Sequence, residues 1–170
     1  AETVIAEHGR VDILVNNAAP LMTGITEGSY EDFEYAIRVG VTAPFYLAKL
    51  FAPHMPAGAS IINISSIGGL VPDLSQVSYG TSKAAINYLT KLIAVHEAKH
   101  NIRCNAVAPG FIQSKMTDVL PDEVKKAYMD TIPLKRFGTA ADIARCVAFL
   151  AGPDADYITG QIISVNGGMI

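Results

Sequence analysis

The chain has 170 residues, half of them apolar, and 13 basic and 16 acidic side chains give it a formal net charge of −3 at pH 7. That length and composition suit one soluble globular domain over residues 1–170, and the sparse, unclustered basic charge excludes a nucleic-acid or acidic-membrane footprint. Cys104 and Cys146 are too few for a disulfide framework, no apolar run is long enough to span a bilayer, and the opening AETVIAEHGR has no signal-peptide pattern, so a cytoplasmic protein with no membrane or nucleic-acid partner is expected.

In chain order, the first residues read as the tail of a helix, and Val11 to Val15 is a short β-branched run typical of a buried parallel strand. Asn16-Asn17-Ala18-Ala19 follows as a turn. Ser29 and Asp32 have the spacing of a capping box, opening a helix to about Val39. Pro44 interrupts it with a kink or a fresh first turn, and apolar positions continue to Met55. A second strand, Ser60 to Ser66, leads through the loop Ile67 to Val77 into a long helix from Tyr79 to about His100. A third strand, Ile102 to Ala108, ends at Pro109-Gly110. Met116 to Ile132 mixes Met, Leu and Val with charges, as in a mobile lid or an amphipathic surface helix. Thr139 and Asp142 cap a further helix that Gly152-Pro153 stops, and Gln161 to Val165 is the last strand. Strands alternating with helices predict a doubly wound parallel sheet.

Chemistry concentrates between Ser60 and Lys83. Positions i and i+4 share a helix face, so Lys83 lies beside Tyr79 and favours its phenolate, which makes Tyr79 a candidate acid/base. Ser66, thirteen residues upstream, closes a strand at the edge where open α/β sheets place ligand chemistry. Strand alternation allows only one of Ser65 and Ser66 to face that site. A second pattern, His96-Glu97-x-x-His100, matches H-E-x-x-H, in which two imidazoles bind zinc and the glutamate acts as base. A third protein ligand would have to come from Asp118 or Glu123.

Ser66, Tyr79-x-x-x-Lys83, Asn16-Asn17-Ala18 and Pro109-Gly110, in this order and spacing, resemble the short-chain dehydrogenase/reductase family. The resemblance implies a Rossmann-like, three-layer α/β/α fold and an NAD(P)-dependent oxidoreductase interconverting a ketone and a secondary alcohol. It gives Tyr79 the proton, Ser66 the substrate oxygen, and Lys83 both the phenol's pKa and the ribose hydroxyls of NAD or NADP. Asn17 and Ala18 are implied against the ribose, with Asn17 also tying the central strands together. Pro109, Gly110, the Ile112 backbone and the Ser114 hydroxyl are implied at the nicotinamide. Leu74, Met116 and Leu120 are expected to face the substrate, a small carbonyl compound or alcohol. The long helix and its predecessor are expected to form a homo-oligomer contact, in a dimer or tetramer. No metal is implied.

The family's N-terminal strands and Gly-rich phosphate-binding turn are not in this sequence, so the chain reads as the C-terminal two thirds of such a fold. Gly40 stands where the family has an Asn that holds a relay water, which implies retained but reduced activity. Ala19 replaces a Gly and is tolerable if its φ is negative. Two alternatives remain: a catalytically silent relative serving as an oligomer scaffold, and a zinc hydrolase using His96, Glu97 and His100.

Overall fold

The computed structural model describes residues 1–20 and 22–170, apart from the side chains of Lys115 and Met116. Strands β1 (Ile13–Asn16), β2 (Ser60–Ile64), β3 (Arg103–Pro109) and β4 (Ile162–Val165) form one parallel sheet in the order β1-β2-β3-β4. Parallel neighbours need crossover connections, and helices supply them. After α1 (Glu2–His8), α2 (Tyr30–Ile37) and α3 (Ala43–Phe51) lead from β1 to β2, and α4 (Val77–Glu97) leads from β2 to β3. The return to β4 runs through α5 (Lys115–Asp118), α6 (Asp122–Thr131) and α7 (Ala140–Ala151).

Successive strand residues point to opposite faces, and the two faces carry separate cores. Ile61 and Cys104, partners in the β2–β3 register, pack with Ala48, Phe51, Ile93 and Ala94 of α3 and α4. Ile62 and Val107 face the other way, onto Leu150 of α7 and Ala155. Burying each such aliphatic side chain contributes about 1.5–3 kcal/mol, so the sheet is held from both sides. Three layers result. Arg103 is buried at the α7 end, donating to the carbonyls of Leu150 at 2.6 Å and Gly152 at 3.1 Å, where a cation complements the helix C-terminus.

Both capping boxes form as their spacing requires: Ser29 Oγ accepts from Asp32 N–H at 3.1 Å, and Thr139 Oγ1 accepts from Asp142 N–H at 3.2 Å. Pro44 sits in the first turn of α3, and the junction with α2 is a π-helical turn, Arg38–Thr42. Pro cannot donate to the preceding turn, so the extra residue is absorbed there. β2 ends at Ile64, short of Ser66, because the chain turns away after Ser65 donates to the Val107 carbonyl at 2.7 Å. Helix α4 starts at Val77 and tightens to 3₁₀ over Ala98–His100. The segment expected to form a lid folds as α5 and α6. Among the described residues no helix is long and apolar enough to cross a membrane.

Candidate active site

The parallel register carries the segments following Asn16, Ile64, Pro109 and Val165 to one edge of the sheet. At that edge Ser66 is extended and caps a 3₁₀ turn, Ile67–Gly69, its Oγ accepting from Gly68 N–H at 3.1 Å. The turn rests directly on α4. A Cβ on Gly69 would stand 2.5 Å from the Lys83 carbonyl carbon, and one on Gly80 would stand 2.8 Å from the Gly68 carbonyl oxygen. Both contacts are with backbone, so only glycine lets strand end and helix come this close. Asn87 reinforces the approach, donating to the Gly69 carbonyl at 3.2 Å.

This seating brings Ser66, Tyr79 and Lys83 together. The Ser66 hydroxyl lies near the Tyr79 phenol and favours its ionised form. Ser65 turns the other way, buried, and its hydroxyl donates to the Lys83 carbonyl at 3.3 Å. The choice between the two serines is thereby made by the backbone. Lys83 is 3% exposed, and its Nζ donates to the Ile64 carbonyl at 2.6 Å while lying 5.3 Å from the Tyr79 ring centroid.

The electrostatics differ from the sequence expectation. Burial pushes the Tyr79 phenol above its ordinary value, and the neighbouring Ser66 hydroxyl only partly offsets it. Lys83 was expected to draw that phenol down, but its ammonium is aimed at a backbone carbonyl and is itself lowered by burial from 10.5 to about 8. Among the described residues no carboxylate lies within ion-pair distance of it.

That buried, uncompensated ammonium at the carboxyl edge of a parallel sheet fits a ligand rich in hydroxyl acceptors, as a dinucleotide ribose is. Ile112 forms a parallel bridge with Gly138 in which Phe111 C=O accepts from Gly138 N–H at 2.9 Å and Gln113 N–H donates to Gly138 C=O at 2.8 Å. Alternation of peptide directions turns the Ile112 N–H to the opposite side, where an amide ligand can meet it. Ser114 caps α5, accepting from Thr117 N–H at 3.4 Å, which leaves its O–H proton free to donate. Gly110 N–H is committed to the Val165 carbonyl at 3.0 Å and fixes the end of β3 after Pro109. Asn17 and Ala18 are exposed just beyond β1, and Ala19 is not among the described non-glycine residues with positive φ, Asn101 and Lys135. Leu74 is 75% exposed beside the site, while the side chain of Met116 lies outside the described residues.

Several residues were missed or misassigned from sequence. Asn16, not Asn17, ties the strands: its Nδ2 donates to Asn63 Oδ1 at 2.7 Å, and Asn63 Nδ2 donates to Thr90 Oγ1 at 2.9 Å. A buried Asn in the middle of the otherwise apolar run Ser60–Ile64 was the available signal. Gly40 is buried against α4, where a Cβ would stand 2.8 Å from Ser82 Oγ and 2.9 Å from Ser82 Cβ. Ser82 in turn donates to the Tyr79 carbonyl at 2.7 Å. The place of a side chain at 40 is therefore taken by Ser82.

The zinc reading does not survive the geometry. Glu97 lies between the imidazoles, with Oε1 bonded to His96 Nδ1 at 2.8 Å and Oε2 to His100 Nδ1 at 2.9 Å. Both Nδ1 atoms are engaged by that carboxylate, and among the described residues no group of three or more His, Cys, Asp or Glu is placed to hold a metal. Burial raises the Glu97 pKa, but the two imidazoles more than offset it and leave it below the ordinary value.

Residues 1–170 match a family model described as Enoyl-(Acyl carrier protein) reductase. The chain is 38% identical over 177 residues to 3-oxoacyl-(acyl-carrier-protein) reductase FabG of Thermotoga maritima, a match covering 99% of this chain and 70% of the relative. It is 41% identical over 174 residues to 7alpha-hydroxysteroid dehydrogenase of Clostridium sardiniense, covering 98% of this chain and 66% of the relative. Among solved structures, a blue fluorescent protein from a metagenomic library in complex with NADPH superposes with a TM-score of 0.92 at 34% identity, over 99% of this chain and 68% of that one. The angucycline C-6 ketoreductase LanV with bound NADP gives 0.89 at 34%, over 99% and 66%. The chain thus spans about two thirds of the length of these relatives.

Proposed function

The chain belongs to the short-chain dehydrogenase/reductase family of NAD(P)-dependent oxidoreductases, which interconvert ketones and secondary alcohols, and on that premise we propose that Ser66, Tyr79 and Lys83 carry this chemistry within one domain over residues 1–170. The observation that carries the proposal is the convergence at the carboxyl edge of the sheet of the Ser66 turn, seated on α4, with the Tyr79 ring and a buried Lys83 ammonium 5.3 Å from its centroid. A nicotinamide bound there would supply or accept the hydride. The Tyr79 phenol, held protonated by burial, gives its proton to the carbonyl oxygen as charge develops there, and takes one in the reverse direction. The Ser66 hydroxyl donates to the same oxygen. Lys83, with a pKa of about 8, is mostly charged at pH 7 and offers donors to ribose hydroxyls. Asn17, Ala18, Pro109, Gly110, Ile112 and Ser114 would hold the rest of the nicotinamide half of NAD or NADP.

The substrate we propose is a small ketone or alcohol on an apolar body. The named relatives act on 3-oxoacyl and hydroxysteroid compounds, and the loop beside Tyr79 exposes Leu70, Val71 and Leu74 by 38 to 75%. The partner we propose is a second copy of the chain on α3 and α4, where the exposed Phe45 and Leu92 line a groove of about 1010 Å³. A cytoplasmic location is supported by the free thiols of Cys104 and Cys146.

The test is fluorescence titration with NADH and NADPH, followed by turnover of acetoacetyl-CoA and of a 7-oxosteroid. Cofactor binding with ketone-dependent oxidation is expected. Binding or assembly without any turnover would favour the silent scaffold.

A further inference from the structure

Resting on the reading of Tyr79 as the proton donor, we propose that Thr23 and Ser78 are positioning residues: a hydroxyl clamp that fixes the first turn of α4 to the loop leaving β1.

A helix N-terminus has N–H groups without partners inside the helix, and they need capping. In α4 the N-cap residue, Gln76, makes no side-chain capping bond. Thr23 supplies the cap from another part of the chain, because Ser78 N–H donates to the Thr23 carbonyl at 3.4 Å. The return bond runs from Thr23 N–H to Ser78 Oγ at 3.2 Å, and the two hydroxyl oxygens stand 2.8 Å apart. Ser78 is 2% exposed, so these bonds are shielded from competing water. Tyr79 is the next residue. Its own carbonyl is held by Ser82 Oγ at 2.7 Å, so the backbone on both sides of the phenol-bearing residue is tied down.

The far end of the clamp matters as much. Among the described residues, no other hydrogen bond joins the 17–28 segment to α4. That segment begins with Asn17 and Ala18, the residues proposed to face the ribose. The Asn16–Asn63–Thr90 chain ties the end of β1 to the middle of α4, and the clamp adds a direct tie from the loop beyond it to the first turn of α4, where Tyr79 sits. A donor displaced by about 1 Å loses up to about a hundredfold in rate. The clamp acts through Tyr79; neither hydroxyl needs to touch substrate.

The experiment uses active protein containing this chain, with NADPH and acetoacetyl-CoA as probes. Ser78→Ala, Thr23→Val and the double variant are compared with wild type and with Tyr79→Phe. The clamp predicts a fall in kcat of about ten- to a hundredfold in each single variant, NADPH affinity unchanged, and a larger solvent deuterium isotope effect on kcat. The double variant should be no worse than either single one, because both substitutions break the same joint. A kcat within twofold of wild type, additive losses, or both singles unfolding below the assay temperature would overturn the proposal. Retained turnover in Tyr79→Phe would instead overturn the site reading on which it rests, whereas a dead Tyr79→Phe beside an unaffected Ser78→Ala removes the clamp alone.

Discussion

Lys83 carries a charge into a place that opposes it. Burial lowers its pKa from 10.5 to about 8, and one backbone carbonyl is its recorded acceptor. Because the folded value lies below the unfolded one, the full cost is present below about pH 8 and is relieved as pH rises toward 10.5, where the unfolded chain binds more protons. Lys83→Met is therefore expected to remove turnover yet raise unfolding stability at pH 7 by about 1–3 kcal/mol. That gain should shrink between pH 8 and 10.5, and denaturant titrations at pH 7 and pH 10 would contradict this if the gain were equal at both. That Tyr79 and Lys83 share a face was legible in the sequence because helix periodicity fixes it, whereas Ser66 came from its place at the end of a strand and from the family resemblance. The choice between Ser65 and Ser66, and between Asn16 and Asn17, was not legible. Each depends on the parity of a strand at its last residue, and a boundary shift of one residue inverts it.

Between elements, the site depends on how closely the Ile67–Gly69 turn seats on α4. Gly69→Ala would place a Cβ 2.5 Å from the Lys83 carbonyl carbon, so turn and helix must separate. A loss of about 1–3 kcal/mol of stability is expected together with a fall in kcat, whereas Ser29→Ala, which removes a distant cap, should cost about 1 kcal/mol and leave kcat alone. Equal effects of the two on kcat would contradict a special seating. Gly40→Asn should also lose stability rather than restore a relay, since Ser82 occupies the space. A rise in turnover would show that Ser82 yields and that the relay was the missing part. These close approaches left no trace in the sequence beyond a glycine, whose possible reasons are many. H-E-x-x-H misled for a related reason: spacing puts His96 and His100 near each other but does not say that both Nδ1 atoms turn onto Glu97.

On the scale of the molecule, catalysis and assembly are read onto opposite ends of one helix. The first turns of α4 carry Tyr79 and Lys83, and its later turns, from Leu89 on, line the groove shared with α3. Leu92→Glu, on a side chain 51% exposed in that groove, is expected to shift light-scattering mass toward the monomer without changing NADPH affinity. An unchanged mass would remove α4 from the assembly surface. The alternation of strands and helices made the parallel sheet legible from sequence, because each crossover has its own apolar periodicity. Which face each helix covers was decided by the pairing of Ile61 with Cys104 and of Ile64 with Val107, contacts distant in sequence. The most direct test of the whole account is kcat/KM of Tyr79→Phe, measured with NADPH binding as a control. A fall of about 10² to 10⁴-fold with cofactor affinity intact is predicted, and turnover within tenfold of wild type would contradict it.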